Sequence, residues 1–205
     1  MEELKNEFCS TNRKRTRWVA KAGILSAAAV ALMYLEMSLP LMPVFLKFDF
    51  SEVVVLTAAF SMGPWTGILV ELIKNLLHLP VTHTGGVGEL ANFVIGSAFV
   101  GTAGYIYQRA KTRKQAFIGM ATGTIVMTVL ASLINYFIMI PFYISVMGLP
   151  MEVIVNMVHE TGNRLVHDLR TLILFVFVPF NLFKGFVVSW IVAIIYKRIS
   201  PLLHC

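Results

Sequence analysis

Residues 50–79 read FSEVVVLTAAFSMGPWTGILVELIKNLLHL, and whether this stretch crosses a membrane once or twice decides the fold. It is half as long again as the ~20 residues that one helical span needs. Gly63-Pro64 stands near its middle. Proline deletes a helical hydrogen bond and glycine loosens the chain, so the stretch is one kinked helix or two short ones. Charge on either side arbitrates, because cytoplasmic loops retain Lys and Arg. A single crossing puts Arg109, Lys111, Arg113 and Lys114 opposite the cluster formed by Arg13, Lys14, Arg15, Arg17 and Lys21. A double crossing brings both clusters, Lys5, Lys197 and Arg198 to one face and leaves only Lys47, Arg164 and Arg170 on the other. The double crossing is therefore expected, as two helices of roughly 13–16 residues, about 20–24 Å each at 1.5 Å per residue.

Working outward, further apolar regions cover 18–40, 89–108, 116–140 and 171–196. The expectation is an all-α, multi-pass integral membrane protein with six transmembrane helices and both termini cytoplasmic. A basic segment (1–17) precedes the transmembrane domain (18–198), and a short tail (199–205) follows it. Composition agrees. Hydrophobic residues make up 57% of the chain, or about 61% with Gly counted in place of Tyr, against roughly 45–50% in soluble domains. Charged residues are 14%, against about 25%. A soluble protein of this size cannot hide so much apolar surface. That excludes a soluble enzyme and a disordered tail. The net charge of +6 clusters at loop positions that set membrane orientation and meet lipid headgroups, so no nucleic-acid partner is expected. Cys9 and Cys205 sit at opposite ends, with neither disulfide framework nor metal-ligand spacing. No small-residue cleavage site follows the first apolar run, so it is read as a retained span. The outer loops are 41–49, 78–87 and 142–170, and the last is expected to carry a helix lying at the surface.

Ionisable and amide groups in lipid are expensive and mark function or helix–helix contact. Here they are Glu36, Glu71, Lys74, Asn75, Glu89, Asn92, Asn135, Asn181 and Lys184. Glu71 and Lys74 share a face at i,i+3 and can neutralise each other. Lys184 lies near mid-helix, about 20 Å from either end, so it needs an acceptor; Asn181 shares its face. Glu89 and Asn92 repeat that spacing after Gly85-Gly86-Val87-Gly88, where glycines allow close approach of backbone to a ligand. Gly23, Ala27 and Ala31 form a stripe of small residues that admits a neighbouring helix, within the bundle or from a partner. Enzyme motifs fail. His159-Glu160 is followed by Asn163 where a zinc-binding H-E-x-x-H needs histidine, and neither a G-x-S-x-G elbow nor a phosphate-binding P-loop is present.

Five ordered motifs then resemble one family, the riboflavin-binding S components of energy-coupling factor (ECF) transporters. They are Lys47-Phe48-Asp49-Phe50-Ser51-Glu52; Gly63-Pro64 with Lys74; Gly88-Glu89-Leu90-Ala91-Asn92-Phe93; Asn135-Tyr136 with Pro141 and Tyr143; and Pro179-Phe180-Asn181-Leu182-Phe183-Lys184-Gly185. One departure is visible: Val53 and Val54 stand where the family often has proline.

The resemblance implies high-affinity riboflavin uptake across the bacterial cytoplasmic membrane, with no cofactor. It also implies a membrane coupling protein and two ATPase subunits as partners, with ATP hydrolysis left to the latter. Family ligand contacts map onto Gly88, Glu89, Asn92, Asn135, Asn181 and Lys184, and docking to the coupling protein maps onto Ala27 and Ala31. Chemistry agrees: asparagine amides match a uracil-like edge that alternates acceptors and a donor, and lysine offers donors to ring carbonyls. Riboflavin is neutral, so Lys184 also needs a counter-charge, for which Glu89 or Glu71 is the expected source. Two other readings stay open: an S component for a different vitamin, and a small membrane enzyme or channel.

Overall fold

The computed structural model describes residues 2–40, 42–43 and 45–203, with side chains over 14–195 apart from 41 and 44. The side chains of Cys9, Lys5, Arg13, Lys197 and Arg198, and all of Cys205, lie outside the described residues. The chain is mostly helical. A long α1 (Glu2–Tyr34) runs back through the basic N-terminal segment. Two short strands follow, β1 (Met37–Ser38) and β2 (Lys47–Phe48), paired antiparallel with Met37 opposite Phe48. Next come α2 (Ser51–Met62), α3 (Pro64–His78), a 3₁₀ turn (Leu79–Val81) and α4 (Val87–Gln108). Then α5 (Arg113–Ile134), a π-helical turn (Asn135–Met139) and α6 (Ile140–Ser145) form one rod. The surface helix expected in the last loop is α7 (Met151–Glu160). Finally α8 (Leu169–Leu172), a second π turn (Ile173–Phe177) and α9 (Val178–Leu203) run on without a break.

Four described helices are long and apolar enough to cross a membrane: Lys14–Tyr34, Val87–Gln108, Arg113–Ser145 and Leu169–Ile195. The first is shorter than the apolar region 18–40, because the chain leaves the helix at Tyr34. The stretch 50–79 does break at Gly63, whose φ of +105° is open to glycine and costly for other residues. Pro64 then begins α3 where its missing N–H costs nothing. The two helices double back as a hairpin. Gly67 meets Ala59 near the turn, and Lys74 reaches Glu52 at the far end.

Two caps fix the later helix starts. Thr112 accepts from the Gln115 amide at 3.2 Å. Asp168 and Thr171 form a reciprocal capping box, with the Thr171 amide 2.8 Å from Asp168 Oδ1. Each π turn ends two residues before a proline, Pro141 or Pro179. Proline leaves the carbonyl four residues back without its helical donor. For Pro179 that carbonyl belongs to Phe175, and the Asn163 amide takes it at 3.2 Å.

Two hydrophobic clusters result. One, around Val55, Leu56, Ala59, Phe99, Ala103 and Val188, fills the end of the bundle nearer the Gly63 turn. The other, around Leu46, Phe48, Ile154, Val158, Phe177 and Phe180, joins β2, α7 and the second π turn at the opposite end. A cavity lies between the helices beneath the second cluster.

Candidate functional site

The cavity measures about 480 Å³, within the few hundred to one thousand Å³ typical of small-molecule sites. Gly88, Glu89, Asn92, Asn135, Asn181 and Lys184 all line it. Polar groups reach it from the α1–α2 connection, from Glu52 of α2, from His78 at the end of α3, and from the α3–α4 connection, α4, the first π turn and α9. Apolar walls come from Phe45, Met127, Met139, Tyr143, Phe177 and Phe180. Phe45 stacks near-parallel on Phe177, with ring centres 6.2 Å apart.

On one side stand the amides. Asn135 Nδ2 donates to Ala131 O at 2.7 Å and Asn181 Nδ2 to Phe177 O at 2.8 Å, each on its own helix. The donor end of each amide is thereby held, and each side-chain carbonyl remains as the acceptor for a guest. Beside them Lys184 Nζ donates to Asp49 Oδ2 at 3.1 Å. The expected counter-charge from Glu89 or Glu71 is thus corrected: it comes from the α1–α2 connection. Glu71 is committed to Lys74 at 2.9 Å, and Glu89 to the groups named next.

Glu89 lies at the start of α4. Its Oε1 is 3.1 Å from His78 Nδ1, and its Oε2 accepts from Thr82 Oγ1 at 2.7 Å. The carboxylate is therefore fixed in direction while still presenting lone pairs. Gly88 sits against Thr84: its amide donates to Thr84 Oγ1 at 2.9 Å, and a Cβ there would overlap that hydroxyl. Asn92 Nδ2 donates to Asn75 Oδ1 at 3.2 Å.

Behind the cavity lies a buried charge cluster. Lys74 is fully buried between Glu52 Oε1 at 2.8 Å and Glu71 Oε2 at 2.9 Å, and it also donates to Ser51 Oγ at 2.8 Å. Ser51 in turn donates to Asp49 through its amide at 2.9 Å and through its hydroxyl. Burial works to raise the Asp49 pKa. The ammonium groups of Lys184 and Lys74, with the Ser51 hydrogen bond, outweigh it and hold the carboxyl below the usual carboxylate range. Gly96 makes room for the cluster, since a Cβ there would stand 2.9 Å from Glu52 Oε1. Glu36 lies beyond the end of α1 and pairs with Lys47 across the small β hairpin.

Asp49, Ser51, Glu52 and His78 escaped the list of suspects drawn from polar residues in spans. They lie at span edges, where charge is ordinary. The signal that could have found the first three is D-F-S-E opening an apolar run, since a carboxylate two residues before a helix start can accept from its first amide; nothing in the spacing marks His78.

Ala27 and Ala31 do not line the cavity. With Gly23 they face outward along α1, and nothing lies within 4 Å of where a Gly23 Cβ would be.

Known proteins place the chain. The riboflavin transporter RibU of Staphylococcus aureus (strain TCH60) is 33% identical over 94% of this chain and 95% of its own. The riboflavin transporter FmnP of Bacillus subtilis (strain 168) is 30% identical, over 87% and 89% respectively. A solved structure of the S component of a bacterial ECF transporter superposes with a TM-score of 0.73 at 31% identity, covering 93% of this chain and 99% of that one. Residues 17–196 match the family of ECF transporter substrate-specific components. The chain belongs to that family: it is the membrane-embedded substrate-specific component of an ECF transporter, not an enzyme.

Proposed function

We propose that the chain binds riboflavin from outside the cell and delivers it inward as the S component of an ATP-driven ECF transporter. The observation that carries this reading is the convergence of two kinds of polar group on one apolar-walled cavity. Amide acceptors and an ammonium from Asn135, Asn181 and Lys184 suit the uracil-like edge of the flavin ring. Glu89, Asn92 and the Gly88 turn suit the hydroxyls of the ribityl chain. Phe45, Tyr143, Phe177 and Phe180 supply apolar faces for the tricycle. Relatives that transport riboflavin, similar over most of the chain, support the same choice.

The test is direct. Protein purified from cells grown with riboflavin should be yellow, and titration should quench flavin fluorescence. Asn181→Ala and Lys184→Ala should each weaken binding roughly five- to 150-fold, the equivalent of ~1–3 kcal/mol for a buried acceptor or donor left unpaired. Wild-type affinity in both would remove α9 from the site.

The membrane arrangement belongs to the same proposal. Six helices cross, with α2 and α3 as the two short ones, over a transmembrane domain of 18–198. Both termini and the Arg109–Lys114 turn face the cytoplasm, between the segment 1–17 and the tail 199–205. The hairpin of α2 and α3 and the charge asymmetry support this. The outward stripe of Ala27 and Ala31 is then a docking face for a membrane coupling protein, which works with two ATPase subunits. Ala27→Trp and Ala31→Trp should stop uptake in cells while leaving riboflavin binding by the isolated protein intact. Equal loss of both would place the stripe in internal packing.

A further inference from the structure

The two ends of the cavity are joined behind its wall by one unbroken chain of polar contacts. From Asn92 it passes to Asn75 at 3.2 Å, and from Asn75 Nδ2 to Glu71 Oε1 at 3.0 Å. Glu71 Oε2 lies 2.9 Å from Lys74, which donates to Ser51 Oγ at 2.8 Å. Ser51 donates to Asp49, and Asp49 accepts from Lys184 at 3.1 Å. Only the terminal members, Asn92, Asp49 and Lys184, line the cavity; Asn75, Glu71, Lys74 and Ser51 do not.

We propose that Asn75 and Ser51, though out of reach of the ligand, are positioning residues for its two ends: Asn75 aims Asn92 at the ribityl chain, and Ser51 aims Asp49 and through it Lys184 at the ring. The proposal rests on the riboflavin reading above. Glu52, which accepts from Lys74 at 2.8 Å, also borders the cavity, but the shortest route from Asn75 runs through Asn92 and that from Ser51 through Asp49. Asn75 is 3% exposed. Its amide is tied at the donor end to Glu71 O at 2.8 Å and to Glu71 Oε1, so its carbonyl oxygen has a fixed direction and accepts from Asn92. Without that acceptor, the Asn92 amide is free to rotate and loses its aim. Ser51 is fully buried and binds the same Asp49 oxygen through both its amide and its hydroxyl. That leaves the other oxygen, Oδ2, for Lys184. Lys74 stands between the two arms. Its charge holds Glu71, as an ion pair, and the Ser51 hydroxyl, as a hydrogen bond, in place together.

The two arms act on different parts of the ligand, so a chemical probe separates positioning from general support of the fold. Lumiflavin has the riboflavin ring with a methyl group in place of the ribityl chain. Full-length protein in detergent is titrated with riboflavin and with lumiflavin by fluorescence quenching. Asn75→Ala is expected to weaken riboflavin roughly tenfold, the size of one lost buried hydrogen bond, and to leave lumiflavin within about twofold. Ser51→Ala is expected to weaken both flavins by a similar factor, and Ser51→Thr, which keeps the hydroxyl, to restore both. Asn75→Ala added to Asn92→Ala should cost riboflavin nothing further, because its route is already cut. If Asn75→Ala does not fold, Asn75→Ser replaces it with the same expected split. Equal losses for both flavins in the Asn75 variant, no loss in either variant, or additive losses in the double variant would overturn the inference. So would wild-type protein that binds riboflavin but not lumiflavin, since the ring end would then hold no affinity of its own. Wild-type protein that binds neither flavin overturns the riboflavin reading instead.

Discussion

The two hydrophobic clusters are built from different materials, and they do different work. The cluster toward the Gly63 turn packs large side chains such as Leu56, Phe60 and Phe99 between helices that also approach backbone to backbone. A Cβ on Gly119 would stand 2.7 Å from Ala103 O, and one on Gly123 would stand 2.8 Å from Phe99 O. Helices that touch through glycine and alanine leave no space between them and gain their stability from close packing, as helices in lipid do. The cluster at the other end uses large side chains, Leu46, Phe48, Ile154, Phe177 and Phe180, sent from a strand, a short surface helix and a π turn. These cover a cavity and do not fill it. One end is a frame and the other a roof, so damage to the first should be felt as stability and damage to the second as affinity.

The largest effect is expected at the buried charge cluster, where Lys74 neutralises two carboxylates. Lys74→Met strands Glu52 and Glu71 and should cost on the order of 3–5 kcal/mol, read as a lower thermal midpoint in detergent with or without flavin. A change confined to flavin affinity would make Lys74 part of the roof alone. Next, Gly119→Val forces a branched side chain against a main-chain carbonyl. It should destabilise by about 3 kcal/mol, the upper part of the usual overpacking range, with the flavin dissociation constant of the folded fraction unchanged. If affinity falls in parallel, the frame and the site are one unit. The smallest effect belongs to Ile154→Ala. Ile154 is 2% exposed yet borders the cavity, so neighbours can relax into open space. The cost should be about 2 kcal/mol, at the low end for a buried isoleucine, with most of it seen as weaker flavin binding. A large fall in the midpoint of the ligand-free protein would show that the roof bears weight as well.

Much of this was legible in the chain. Gly63-Pro64 marked the break between α2 and α3, because only glycine accepts that φ readily and proline suits the first helical turn. Polar residues in apolar stretches pointed to Glu89, Asn92, Asn135, Asn181 and Lys184, since few side chains of that kind are tolerated in lipid without a purpose. The pairing of Lys184 was not legible. Its partner Asp49 is 135 positions away, and a carboxylate in a loop carries no sign of where the loop folds. The carboxylates within the apolar stretches offered Glu71 and Glu89 instead, and both are taken by nearer partners. The π turns also escaped, because a helical period differs too little from theirs over five residues; Pro141 and Pro179 were the visible traces.

Those π turns set a limit on how the chain can vary in length. A π turn holds one residue more than the α turn it replaces, so one residue removed from Ile173–Phe177 is absorbed by conversion to α-helix, whereas a second would swing everything after it by about 100°. The Asp168–Thr171 cap fixes the direction on one side, and Asn181 with Lys184, which must face the cavity, fixes it on the other. Both demands can be met with one residue fewer, but not with two. Chains that keep the same ligand should therefore tolerate a gap of one residue at this turn and none longer, while keeping large apolar residues at Val176 and Phe177.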